Sequence, residues 1–156
     1  MKILLTGHRG FIGQHMLAAL MKAGHEITIV DGSLVCVVED IRDVIAIENT
    51  AQFRGHSHVL GGIISPLDGV GPNDLNIESL ISRVTNDEIE ELIFALNPNI
   101  QGDTTIYYIQ KKMQGNNCKV TTIARGIAFG GELEFADEMT LAKSLTNRLP
   151  VQQYVK

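Results

Sequence analysis

The chain has 156 residues, 44% of them hydrophobic and 20% charged, and a formal net charge of −5. That is enough chain for one domain with a sizeable core, and no apolar run approaches the roughly 18–20 residues of a membrane span. Residues 1–33 hold Lys2, Arg9 and Lys22 against Glu26 and Asp31, so the remainder is strongly acidic, which disfavours autonomous nucleic-acid binding and suits a basic protein partner.

Lys2–Thr6 is a predicted apolar strand that opens directly from Met1, with no signal peptide, so the expected location is cytoplasmic. Phe11–Ala23 carries helical spacing through Ile12, Met16, Leu17 and Leu20, and Gly24 ends that helix. Glu26–Val30 and Leu34–Val38 are predicted strands. Only Asp31-Gly32-Ser33 separates them, whereas a parallel crossover needs about 10 or more residues. With Asp-Gly as the turn, the two strands are expected to form a hairpin, which makes the sheet mixed.

Asp40 or Asp43 can cap a helix running to Thr50, followed by a short strand over His56–Gly61. Ser65–Asn76, rich in Pro, Gly and Asp, reads as a loop, and Asp74 or Asn76 can cap a helix reaching Val84. A strand over Glu91–Leu96, a helix over Asp103–Gln114 and a strand over Lys119–Ala124 follow. Beyond the glycine-bearing segment Gly126–Gly131, a last helix is expected over Asp137–Asn147. This alternation predicts an α/β fold of three layers, α/β/α, around a mostly parallel sheet in a single domain. Cys36 and Cys118 lie in separate apolar runs and are expected to be buried, reduced thiols.

Thr6-Gly7-His8-Arg9-Gly10-Phe11-Ile12-Gly13 places a G-x-x-G-x-x-G loop between a strand and a helix. Glycines at that turn let the backbone approach a pyrophosphate, and the helix N-terminus supplies free N–H groups and a positive dipole end. Asp31 closes the second strand, where an acid can bind a ribose hydroxyl or cap its own turn. The segment resembles the first βαβ unit of the extended short-chain dehydrogenase/epimerase family. That resemblance implies an NAD(P)-binding motif at Gly7, Gly10, Gly13 and Asp31, in a Rossmann-like setting. Tyr107-x-x-x-Lys111 has the spacing of that family's catalytic pair, but Tyr108 and Lys112 repeat it and no matching Ser/Thr segment precedes it, so no catalytic residue is assigned.

From Ser33 onward a second resemblance takes over. Its blocks include Leu34-Val35-Cys36-Val37-Val38-Glu39-Asp40, Ser65-Pro66-Leu67-Asp68-Gly69-Val70-Gly71-Pro72, Gly102-Asp103-Thr104-Thr105 and Gly130-Gly131-Glu132-Leu133-Glu134-Phe135. This stretch resembles the RecR family of bacterial recombination mediators, which implies a Toprim segment over residues 34–156. In catalytic Toprim enzymes a glutamate and a later Asp-x-Asp organise Mg²⁺. Glu39 matches the glutamate, but Asn97-Pro98-Asn99 carries amides where the carboxylates would be, so neither a metal site nor catalysis is expected. The family brings RecO and RecF partners to DNA junctions. Its acidic surface implies partner contact at Glu39 and Asp40, with Asp43 and Asp103 less directly indicated; the same residues can equally serve as helix caps and surface solvation.

The helix-hairpin-helix and four-cysteine zinc motif that precede Toprim in that family have no counterpart here. His56 and His58 have no third ligand nearby in sequence. A dehydrogenase-type segment (residues 1–33) joined abruptly to a Toprim segment (34–156) reads as an engineered, non-catalytic fold chimera derived from a repair adaptor. An NAD(P)-binding protein and a residual RecO/RecF-binding adaptor are the alternatives.

Overall fold

The computed structural model describes residues 2–6, 19, 22–23, 26–30, 33–86 and 89–153. Two compact units divide the chain, residues 1–122 and 123–156.

In the first unit, β1 (Lys2–Thr6) and β2 (Glu26–Val30) form a parallel two-stranded sheet, in register from Lys2↔Glu26 to Thr6↔Val30. The helix expected over 11–23 lies outside the described residues except for helical Ala19 and Lys22 and a turn at Ala23. A second sheet has four parallel strands: β3 (Leu34–Val38), β4 (His56–Val59), β5 (Glu91–Ala95) and β6 (Lys119–Thr122), in the order β4-β3-β5-β6. The expected hairpin across residues 31–33 does not form. Both edges of β3 are taken, Val38 pairing with Val59 on one side and Ala95 on the other, and β2 pairs with β1. The physical reason lies in composition. Leu34-Val35-Cys36-Val37-Val38 is a continuous apolar run, as a strand covered on both faces requires, whereas a half-exposed hairpin strand would alternate.

Helices α1 (Ile41–Asn49), α2 (Ile77–Asn86) and α3 (Ile100–Lys112) connect these strands. Val35, Val37, Leu92 and Phe94 share one face of the sheet and join one core with Ile77, Leu80 and Val84 of α2 and Ile109 of α3. Those helical positions follow the i, i+3, i+7 spacing of a single buried stripe. Right-handed crossovers put α1, which leads back from β3 to β4, on the opposite face from α2 and α3. The result is the expected α/β/α layering.

The local cause of the starts of α1 and α3 is visible. Asp40 caps α1 by accepting from Arg42 N at 2.7 Å, and Asp43 returns the bond by accepting from Asp40 N at 3.0 Å. α3 begins earlier than expected because Asn99 caps it, accepting from Gly102 N at 2.7 Å. Gly102 is needed there, since a Cβ would lie 2.2 Å from the Asn97 carbonyl oxygen. The two acids or amides expected to cap α2 are used elsewhere. Asp74 accepts from Gly71 N within a 3₁₀ turn, and Asn76 reaches back to donate to Val59 O at 3.0 Å. Among the described residues no helix is long and apolar enough to cross a membrane.

The second unit holds α4 (Glu138–Thr146), capped by Asp137, with a 3₁₀ turn at Leu133–Phe135 before it. No residue of α4 is buried, and Phe129, Leu133, Phe135 and Met139 are largely exposed.

One buried polar group ties the glycine-rich loop after β4 to α3. The fully buried Thr105 hydroxyl accepts from Ile64 N at 2.9 Å and donates to Gln101 O at 2.8 Å. Thr105→Val keeps the shape and leaves Ile64 N unsatisfied, which should cost about 1–3 kcal/mol as a lowered urea midpoint with an unchanged slope.

Candidate functional site at the carboxyl edge of the sheet

Consecutive connections in the four-stranded sheet run in opposite directions on either side of β3: α1 leads from β3 outward to β4, and α3 leads from β5 outward to β6. The carboxyl ends of β3 and β5 are therefore a topological switch point, where an open α/β sheet leaves a crevice for binding. The parallel register sets Val38 level with Ala95, so the residues just beyond them meet across the crevice. Asn97 Nδ2 donates to Glu39 Oε2 at 2.7 Å. This is the pairing of the expected glutamate with the first of the amides. The carboxylate faces an amide donor where a second carboxylate would repel it and call for a cation.

Asp40 stands next to Glu39 as the α1 cap, and the exposed Arg42 guanidinium bonds its other oxygen. The hydrogen bonds from the Arg42 side chain and backbone hold the Asp40 carboxyl below its ordinary value. Asp43 is committed to the Asp40 backbone. Asp103 lies in the first turn of α3. The structure thus gathers Glu39, Asp40 and Asp43 at one strand end and faces Glu39 with Asn97, a contact that spacing alone would not reveal across 58 residues.

Gly7, Gly10, Gly13 and Asp31 lie outside the described residues. Tyr107 is exposed, and Lys112 is bonded to Glu78 with its ammonium 5.6 Å from the Tyr108 ring centre. His56 and His58 diverge in use: His56 Nδ1 accepts from Arg83, and His58 Nε2 donates to Asn76 O at 2.9 Å. No cluster of three or more His, Cys, Asp or Glu able to hold a metal occurs among the described residues. Cys36 is buried and its thiol is pushed up to about 11, chiefly by burial; Cys118 is half-buried, and both are free.

Residues 33–124 match the Toprim domain, residues 126–149 the C-terminal segment of RecR, and residues 3–54 the NAD-dependent epimerase/dehydratase family. The fold, the switch-point glutamate and the Toprim match over more than half of the chain agree on the class: the chain belongs to the Toprim domain family. It is 56% identical to the recombination protein RecR of Parabacteroides distasonis over 118 residues, 76% of this chain and 57% of that protein. The corresponding protein of Bacteroides thetaiotaomicron is 58% identical over 118 residues, 76% of this chain and 58% of that protein. That of Cytophaga hutchinsonii is 51% identical over 138 residues, 88% of this chain and 65% of that protein. The chain spans about three fifths of the length of these curated relatives.

Similarity of both kinds crosses the expected join. Residues 33–54 fall within both the epimerase and the Toprim match, and a match over 138 residues exceeds the 123 that run from Leu34 to the end. A strand followed by an acid-capped helix, as in β3 and α1, is common ground for two α/β families.

His58 supplies a pH signature for the edge. Burial pushes it below the ordinary histidine value of 6.5, with the bond to the Asn76 carbonyl partly opposing. The folded state therefore favours the neutral ring, and the unfolded chain takes up the proton first as pH falls. Stability from this group is full above 6.5 and is lost as pH drops below it. The urea midpoint should fall from about pH 7.5 to about pH 5.5, and His58→Gln should flatten that slope; the depressed carboxylates act only at lower pH.

Proposed function

We propose that this chain is a non-catalytic repair-adaptor module that works through protein contact at the carboxyl edge of β3 and β5. The observation that carries the reading is the Asn97–Glu39 hydrogen bond. It gives the one catalytic-position glutamate a neutral amide donor in place of the paired carboxylates that divalent-metal chemistry needs. The relatives' designation as recombination proteins supports the same direction. On this reading the contact residues are Glu39 and Asp40, the partners are RecO- or RecF-like repair proteins, and the module acts in the cytoplasm.

We further read residues 1–33 and 34–156 as an engineered hybrid meant to fold as one α/β domain. Support comes from the epimerase match that begins in the first segment, beside the Toprim match that begins at residue 33. Purified RecO or RecF from a Bacteroides relative should bind the chain at low salt and lose affinity about tenfold or more in Glu39→Ala/Asp40→Ala. Absence of any association at low salt rejects the adaptor reading.

The epimerase match over residues 3–54 favours a second reading, a dinucleotide held at Gly7, Gly10, Gly13 and Asp31. Calorimetry decides it. Saturable heat with NAD or NADP that disappears in Gly10→Val supports the site, and no heat at millimolar cofactor removes it.

A further inference from the structure

We propose that the β3–β5 crevice carries its own apolar anchors, Ile41 and Ile100, and docks a protein surface whose apolar side chains are ringed by lysine and arginine. The inference rests on the adaptor reading and adds the chemistry of the partner to it.

Ile41 is the first residue of α1, two beyond Glu39, and Ile100 is the first residue of α3, three beyond Asn97. The Glu39–Asn97 bond therefore fixes both helix starts on the two rims of one crevice. Each isoleucine is open to solvent, 62% for Ile41 and 83% for Ile100. Each also continues along its helix: Ile45 lies one turn after Ile41, and Tyr107 lies two turns after Ile100 on the same stripe, both more than half exposed. A first-turn isoleucine in a helix that packs on a sheet is ordinarily turned to the core. Here the core-facing work of α3 is done by Gly102, Thr105 and Ile109, so Ile100 and Tyr107 are left over.

Charge decides what covers them. The three segments that follow β3, β4 and β5, residues 39–45, 60–76 and 96–107, contain Glu39, Asp40, Asp43, Asp68, Asp74 and Asp103 against the single cation Arg42. That balance repels nucleic acid, anionic lipid headgroups and a second copy of the same edge. It attracts a basic surface, and the isoleucines supply the desolvated centre that a polar rim alone lacks.

The test uses the full chain and a synthetic amphipathic helix of leucine and lysine as probe, with a serine/lysine helix as control, followed by fluorescence anisotropy. Ile41→Ser/Ile100→Ser should weaken the leucine/lysine helix by about tenfold or more and leave the serine/lysine helix unchanged. Phe129→Ser, a still more exposed apolar change in the other unit, should have no such effect. Both isoleucines are exposed, so folding is checked by an unchanged circular dichroism spectrum and urea midpoint. Three results overturn the proposal: the isoleucine variant binds within about twofold of the parent, it loses no more than Phe129→Ser, or the parent sediments as a dimer that this variant dissociates. Binding that weakens in Glu39→Gln/Asp40→Asn but not in the isoleucine variant removes the anchors and leaves the adaptor reading intact. The converse removes the charge-based reading.

Discussion

The double pairing of β3 is the constraint on which the rest depends. A five-residue strand with Val35, Val37 and Val38 fully buried must be hydrogen-bonded on both edges and covered on both faces, because an unpaired buried backbone group is costly. Once β4 and β5 fill those edges in parallel register, the ends of three strands are level. The connections then have to leave in opposite directions, and the switch point falls at the end of β3. Glu39 is placed in the crevice because the pairing of β3 with β5 ends one residue before it. On the β4 side Gly61 N extends the ladder by donating to Glu39 O at 3.0 Å, after which the chain turns with a positive φ that glycine tolerates.

What was legible in the sequence was local. Asp40 and Asp43 announced an acid cap for α1, though not that the two would act together, and the alternation of strand and helix announced the layers. What was not legible depended on partners distant in sequence. Asn76 has the residue type of a cap for α2, but its amide is drawn to the Val59 carbonyl, 17 residues away, and nothing near Asn76 marks that competitor. The hairpin expectation weighed a three-residue connection above the unbroken apolar run Leu34–Val38. The run was the better signal, because burial of a whole strand outweighs the preference of one turn. The start of α3 was missed by three residues for a related reason: Asp103 has cap chemistry, but Asn99 precedes a glycine that allows the chain to close against Asn97.

The candidate site was legible in type and not in arrangement. A glutamate after a strand and amides after a later one could be matched by resemblance, yet the bond between them requires β3 and β5 to be neighbours. The exposed isoleucines were hidden by the helical pattern itself. Apolar residues at helical spacing are expected to face inward, and only the burial of Gly102, Thr105 and Ile109 reveals that α3 already has an inward face without Ile100.

Replacing a carboxylate by an amide across that crevice changes more than metal affinity. Two carboxylates within bonding distance are mutually repulsive, so they need either a shared proton or a cation, and the charge they offer to solvent varies with metal supply and pH. A carboxylate held by an amide needs neither. Its orientation is fixed by a hydrogen bond from a neutral donor. A reaction centre benefits from the first arrangement, because charge must be gathered and released. A recognition surface benefits from the second, because a partner reads the same charge in the same place every time it arrives.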